Sequence, residues 1–381
     1  MYNSLKPISK NSRIESVDAL RGFALLGVLI ANIPVAGSEL ITGTYDSVSK
    51  FLTYLLIDKK FITIFSILFG FGFYIQLKRA TDKNINFKKY FIVRMILLLI
   101  IGVIHSYGIW NGDIIMSYAI GGLFLLLIKN FTIKKIVILA IVFNVLLTGI
   151  FFIISSSIEW QESQIKLASE LPITDSIIRY IYLNFLMNPW TNFLRDMPIT
   201  LFFTFGNMLI GFILGKINFF QLNFKIKKSL LLFASVFGFT SSYFYYLISV
   251  GKIELTERLI WVPFVLVFGI ILQSLFYISI FKSLYKRIRF KKVLSVFSFV
   301  GRTALSNYIL QSLFYVLIFY HFTNAFQLFG KLTITQTNFL AFALFTLQLT
   351  LSKFWLKKFQ QGPIEFLWKK ISYSLTKVKK R

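Results

Sequence analysis

The residues able to do chemistry in this chain are few, and they recur at fixed intervals. Asp18 and Arg21 are three apart, so on a helix they share a face and can pair. Arg94 and Arg302 begin two other apolar stretches, which leaves three arginines for one nearby carboxylate. Surplus guanidinium groups suit an anion such as a phosphate, which they bind through paired N–H donors. The same side chains also suit snorkelling to lipid phosphates. His105 follows Arg94 by eleven residues, and Asn32 follows Arg21 by eleven. Eleven steps of a helix return to nearly the same face, about 16 Å further along. Two helices patterned in this way would line one polar passage.

Asp113 comes shortly after His105, in the connection Trp110-Asn111-Gly112-Asp113. A carboxylate against a histidine fixes its tautomer and raises its basicity, as a general base requires. That pairing needs the connection to fold back. The plainer reading is a histidine that caps a helix end, or one that lies at a membrane interface beside Trp110. Arg302 and Ser306, with the row Thr303, Asn307 and Gln311, recur at four-residue spacing, which fits hydrogen bonding between helices or contact with a substrate. His321 sits beside Tyr320 at a helix end. Two histidines and no cysteine build no usual zinc site and leave neither thiol chemistry nor a disulfide.

The elements that must position these groups are membrane helices. Hydrophobic residues make up 56% of the 381 positions and charged residues only 15%, with 45 Phe. Soluble domains carry about 25% charged residues, so an ordinary soluble enzyme, a coiled coil and a disordered chain are excluded. A spanning helix needs about 20 apolar residues. Ten stretches qualify, near 17–36, 61–77, 91–109, 113–128, 135–157, 197–215, 229–250, 260–281, 302–320 and 335–356. The expected fold is all-α, one polytopic membrane domain over 1–381. The first stretch is read as a retained helix, because Asp18 and Arg21 would break the core of a signal peptide.

The formal net charge of +27 follows this arrangement. Thirty of the 42 Lys and Arg fall in the N-terminus, in alternate loops and in the C-terminal tail, nine fall in the other loops, and three lie inside spans. Cytoplasmic loops are the ones that hold Lys and Arg, so both termini are expected in the cytoplasm. Anionic lipid headgroups are the expected partner of that basic face, and no base-reading motif points to nucleic acid. The long external connection 158–196 carries Ile177, Ile178, Ile181, Tyr182 and Phe185 at helical spacing, which predicts an interfacial amphipathic helix, either a belt or a lid.

Ser16-Val17-Asp18-Ala19-Leu20-Arg21-Gly22-Phe23-Ala24, running on to Asn32, resembles the first-helix signature of the YeiB-type family of bacterial membrane proteins. Further blocks resemble the same family in order along the chain: Phe65 to Phe73, Arg94 to His105, Trp110 to Ala119, Gly301 to Ser312, and Gly362 to Trp368. That family is largely a domain of unknown function, and its resemblance implies a bacterial cell membrane. The D-x-x-R-G-x-A opening is also similar to that of the wider transmembrane acyltransferases. This implies a cytoplasmic acyl-CoA as donor, no permanently bound cofactor, and a sugar or other cell-envelope acceptor on the outer face. The O-acetyltransferases place a His eleven residues after the motif Arg, where this chain has Asn32, so His105 would have to supply the base.

Two functional expectations follow. In an acyltransferase, Asp18, Arg21, Arg94 and Arg302 would surround the donor phosphates, Asp113 would orient His105, and Asn32 or Asn307 would hydrogen-bond the oxyanion. Trp110, Asn307 and Gln311 complete the candidate binding residues. In a transporter or flippase for an anionic small molecule or lipid, the same polar faces would form a pathway.

Overall fold

A computed structural model describes residues 14–37, 40–82, 86–155, 166–192, 196–221, 226–254 and 261–376. Among these the chain is helical, with one isolated bridge between Leu40 and Thr333. The basic N-terminal residues Lys6, Lys10 and Arg13, and the first part of the expected external connection (158–165), lie outside the described residues.

The helices are α1 (Glu15–Gly37), α2 (Thr44–Leu56), α3 (Lys60–Asp82), α4 (Phe87–Gly108), α5 (Ile115–Ile128), α6 (Ile133–Ile141), α7 (Thr148–Ser155), α8 (Ile177–Leu186), α9 (Asp196–Lys216), α10 (Lys228–Ser249), α11 (Val262–Tyr285), α12 (Ile288–Leu294), α13 (Ser298–Arg302), α14 (Ala304–Phe319), α15 (Ile334–Lys358) and α16 (Pro363–Thr376). A π-helical turn, Val142–Leu147, joins α6 to α7. Among the described residues eight segments are long and apolar enough to cross a membrane, and a ninth forms if the bent pair ending in α14 counts as one span.

The fourth expected span, 113–128, is a helix of only 14 residues. At 1.5 Å per residue it covers about 21 Å, short of a ~30 Å hydrocarbon core by itself, but the chain still returns to the end where α9 finishes, since the Phe131 carbonyl accepts from Lys216 Nζ. It starts late because the preceding residues dip into the bundle: Trp110, Asp113 and Ile114 are all buried. Two features had no counterpart in the sequence pattern. Residues 44–56 fold as α2, which is set off from α3 by a turn with Lys59 in the left-handed region (φ 61°). The span around Arg302 is broken, α13 and α14 meeting at 80°.

Apolar side chains point outward as well as inward, as lipid contact requires: Leu127, Phe339, Leu232 and Ile104 are exposed while Leu20, Leu25 and Leu29 are fully buried. Small residues set the closest crossings. A Cβ at Gly211 on α9 would strike the Ile67 carbonyl, and one at Gly70 on α3 would strike that of Met208. Gly22 of α1 and Gly301 of α13 face each other, so that a Cβ at Gly22 would meet the Phe297 carbonyl and one at Gly301 that of Asp18. Gly72, by contrast, faces open space. Because backbone cannot retreat as a side chain can, Gly301→Ala is expected to destabilise the protein by about 1–3 kcal/mol. Gly72→Ala is expected to leave stability nearly unchanged, and thermal unfolding in detergent compares the two.

Candidate functional site

Each end of the bundle holds a cavity. The first, about 570 Å³, opens at the end where α1 and α4 begin and α3 finishes. Asp18, Arg21, Arg94 and Arg302 all line it, together with Lys78, Arg79, Asp82, Glu365 and Lys369. The second, about 400 Å³, lies at the opposite end and is lined by Asn32, Asp58, Lys59, Trp110, Asn111 and Asp113 among others. Both volumes fall in the range of small-molecule sites. Ile114 and Tyr308 line both cavities, so these two side chains form the septum between them.

At the basic end each arginine is held differently. Arg21 pairs with Asp18 at 2.9 Å and reaches the Gly301 carbonyl at 3.3 Å. Arg94 is buried, donates to Gln76 Oε1 (2.7 Å) and Tyr90 Oη (2.9 Å), and stacks on Trp368 at 4.1 Å. Among the described residues no carboxylate pairs with Arg94, so its charge is oriented by neutral partners. Arg302 stands at the helix break and donates to the Gln360 carbonyl. The break leaves N–H groups free at the start of α14, and Glu365 takes them: its Oε1 accepts from Leu305 N (2.7 Å) and Ser306 N (3.2 Å), and its Oε2 accepts from Ser306 Oγ (2.5 Å). A carboxylate is well suited to that place, at the positive end of a helix dipole.

The opposite end is built around the α4–α5 connection, which does fold back. The N–H groups of Ile109 and Trp110 both bond the His105 carbonyl at 2.9 Å, and Tyr308 Oη donates to the Gly112 carbonyl at 3.1 Å. Asp113 is thereby brought beneath its own helix. Its Oδ1 accepts from Met116 N at 2.8 Å, capping α5, and its Oδ2 lies 2.7 Å from His105 Nδ1. His105 is 1% exposed and lines neither cavity. Its Nε2 lies 2.9 Å from Ser312 Oγ on α14, and its ring packs against Tyr308 at 5.3 Å. Because the Asp113 carboxylate accepts at Nδ1, Nδ1 carries the proton and Nε2 is the acceptor for the serine hydroxyl.

Within the 158–196 segment the described residues include α8, which packs on the end of α4. α8 forms as expected, with Ile177, Ile178, Ile181, Tyr182 and Phe185 exposed and Tyr180, Leu183 and Asn184 buried. The buried side holds the end of α4. Asn184 Nδ2 donates to the carbonyls of Ser106 and Tyr107 at 2.9 Å each, Asn188 Nδ2 donates to Ser106 Oγ at 2.6 Å, and Tyr180 Oη donates to the Ile109 carbonyl. Those carbonyls are the ones a helix end leaves unpaired, so α8 fixes the turn that carries His105.

Asn307 and Gln311 line neither cavity. Asn307 Nδ2 bonds the Thr303 carbonyl (3.0 Å) and Ser352 Oγ (2.9 Å), and Gln311 Nε2 bonds the Leu25 carbonyl (3.3 Å) and Gln348 Oε1 (3.1 Å). They stitch α14 to α15 and α1. Asn32 and Trp110 line the second cavity, and Trp110 also packs edge-on against Tyr315. His321 is separate from the His105 cluster and its backbone N–H bonds the Pro172 carbonyl. Ser312, Glu365 and Tyr308 are the residues that the spacing did not single out. Ser312 and Glu365 find their partners 207 and about 60 positions away in sequence, beyond any periodic signal.

Fold and site together define a multi-pass helical membrane protein with a cavity at each end, each holding charged residues in a mostly apolar wall. Residues 214–375 match the family described as a protein of unknown function (DUF418). The chain is 29% identical to the uncharacterized protein YxaH of Bacillus subtilis (strain 168), over 97% of either chain. It is 26% identical to an uncharacterized 39.9 kDa protein from the amylase 3' region of Bacillus acidopullulyticus, over 97% of this chain and 96% of that one. The uncharacterized protein YeiB of Escherichia coli (strain K12) is 26% identical over 94% and 95%. The YeiB-type resemblance read from the motifs therefore holds along the whole chain.

The His105–Asp113 pair carries a direct check. With two histidines in the chain, the ¹⁵N-histidine spectrum contains two imidazole rings. Asp113→Ala is expected to move the ring of His105 away from the Nδ1–H tautomer and to leave His321 unchanged.

Proposed function

We propose that this protein is a membrane acyltransferase that moves an acyl group from cytoplasmic acyl-CoA to a hydroxyl of an external sugar or cell-envelope acceptor. One observation carries the reading: two cavities approach from opposite ends and are divided by Tyr308 and Ile114, directly beside a buried His105–Asp113 pair. The basic cavity suits a donor bearing phosphates, with Arg21, Arg94 and Arg302 as its cationic contacts and Trp368 and Tyr90 as flat apolar surfaces. The other cavity suits a hydroxyl-bearing acceptor, with Asn32 and Trp110 in its wall. His105, held by Asp113, supplies the base. Asn32, in the wall of that cavity, is assigned the oxyanion hydrogen bond in this reading.

In this reading the protein lies in the bacterial cell membrane with both termini cytoplasmic, its basic loops resting on anionic headgroups. The absence of cysteine makes the orientation easy to test. Tyr45→Cys, at an exposed position of α2, is expected to react with a membrane-impermeant maleimide in intact cells. Lys88→Cys, exposed at the start of α4, is expected to react only after permeabilisation. The reverse pattern overturns the orientation.

The same lack of cysteine means that a thiol reagent reports only released CoA. Purified protein given acetyl-CoA and a panel of hexose acceptors is expected to bind the donor and release CoA. His105→Ala is expected to lower turnover on the order of 10²–10⁴-fold, the usual weight of a general base. Arg94→Ala is expected to weaken donor binding. Folded protein that binds no acyl-CoA, with His105→Ala silent, removes the enzyme reading.

The 80° break between α13 and α14 favours a second reading, a transporter or flippase for an anionic small molecule or lipid. Interrupted helices are where transporters place their substrates. Its signature is movement of substrate without CoA, with Arg94 required and His105 dispensable.

A further inference from the structure

From the bonds made by His105 we infer that Ser312 is the nucleophile of a two-step transfer, taking the acyl group as an ester before passing it to the acceptor. The inference rests on the acyltransferase reading and concerns how the group crosses the septum.

Both ring nitrogens of His105 are engaged inside the protein. Nδ1 is held by Asp113 Oδ2 at 2.7 Å, and that carboxylate is itself fixed by the Met116 N–H on its other oxygen. The remaining nitrogen, Nε2, meets Ser312 Oγ at 2.9 Å. A histidine that deprotonated an incoming sugar hydroxyl directly would present Nε2 to the acceptor cavity. Here the ring is 1% exposed, and the hydroxyl on the basic nitrogen is that of Ser312, itself 1% exposed. Serine, histidine and aspartate in this order of bonds are the arrangement that makes a serine oxygen nucleophilic. A buried serine on an apolar helix also satisfies its hydroxyl by bonding its own helix, as Ser274 does with the Ile270 carbonyl. The bond recorded for Ser312 goes to the imidazole instead.

The position of Ser312 supports the same step. Ser312 is one helical turn beyond Tyr308, and Tyr308 is the aromatic half of the septum. Asp113 lies in the wall of the acceptor cavity, its carboxylate turned inward to His105 and Met116 N. A swing of the Tyr308 ring off His105 connects the basic cavity to the serine, and the acceptor then approaches from the Asp113 side. With an acyl-enzyme, donor and acceptor need never occupy one space.

The chemistry balances without any co-reactant. Ser312 Oγ attacks the thioester carbonyl carbon as its proton passes to His105 Nε2; the C–S bond breaks and the CoA thiolate takes that proton. In the second step an acceptor hydroxyl gives its proton to Nε2 as its oxygen attacks the ester carbon. The C–O bond to Ser312 then breaks and the serine oxygen recovers the proton.

The test uses the full-length protein in detergent with radiolabelled acetyl-CoA and no acceptor. The expected result is a burst of CoA close to one equivalent and an acetyl group that maps to Ser312 by peptide mass spectrometry. Ser312→Ala is expected to abolish the burst and the label, to lower turnover about 10²-fold or more, and to keep wild-type melting and acetyl-CoA binding. Ser312→Cys carries the label as a thioester that neutral hydroxylamine releases, a readout that a purely orienting residue would not produce. Transfer to a hexose with no labelled protein, or a Ser312→Ala variant that turns over at the wild-type rate, overturns the covalent step while leaving the acyltransferase standing. No CoA release from the wild type under any condition removes the acyltransferase reading itself, and this inference with it.

Discussion

The helix break at Thr303 is the constraint on which the rest of the arrangement depends. In a bilayer the backbone groups freed by a break have no water to turn to and must be paired inside the protein. Here they are paired from both directions. Glu365 takes the N–H groups that open α14, and on the α13 side Thr303 Oγ1 donates to the Phe299 carbonyl and Arg21 to the Gly301 carbonyl. With these two clamps the chain can turn by 80° and send α14 along a new axis. That axis places Tyr308 between the cavities and Ser312 on His105. Without the C-terminal helix α16, which brings Glu365, the bend would leave bare donors in the wall of the basic cavity. The Gly362 to Trp368 block is therefore part of the site's foundation, and Trp368 adds a second tie by donating Nε1–H to the Arg94 carbonyl.

The end of α4 is secured by the same logic. Its last carbonyls carry bonds from Asn184 and Tyr180 on α8, and the α4–α5 connection is tied to α14 through Tyr308 and Gly112. Two separate elements, α8 and α14, thus converge on the turn after His105. A histidine and a carboxylate eight residues apart would otherwise sample many separations. Held in this way, they meet at 2.7 Å with the carboxylate oxygens both occupied.

Much of this was legible in the amino-acid sequence, and the limits have physical causes. The helical bundle could be read because twenty-residue apolar runs have few alternatives, and the grouping of Arg21, Arg94 and Arg302 followed from their common place at helix starts. The approach of Asp113 to His105 was conditional on a fold-back that Gly112 permits, for a Cβ there would meet the Trp110 ring. α2 was missed because its thirteen residues are too short and too polar to register as a span. The break at Thr303 has no proline to announce it, and its cause, a carboxylate about sixty residues later, cannot be seen locally. Ser312 carries no signal of its own. One serine on an apolar helix becomes distinctive only when the fold puts an imidazole against it.

The eleven-residue spacing in α1 proves more informative than a shared passage would have been. Arg21 and Asn32 do lie on one face, yet they line different cavities, with Tyr308 and Ile114 between. The face is continuous and the space beside it is not. An open polar channel of that kind would leak ions and let water reach any activated acyl group. A closed septum with a reactive cluster against it avoids both. The charge distribution agrees with this division: Arg94 is held by Gln76, Tyr90 and Trp368 and keeps its field for an anion in the basic cavity, whereas the second cavity has Asp58, Lys59 and Asp113 in its wall. In the proposed reaction an anionic donor would be attracted to the end lined by Arg21, Arg94 and Arg302 and not to the other. On the acyltransferase reading proposed above, what would cross is the part of the donor that carries no charge.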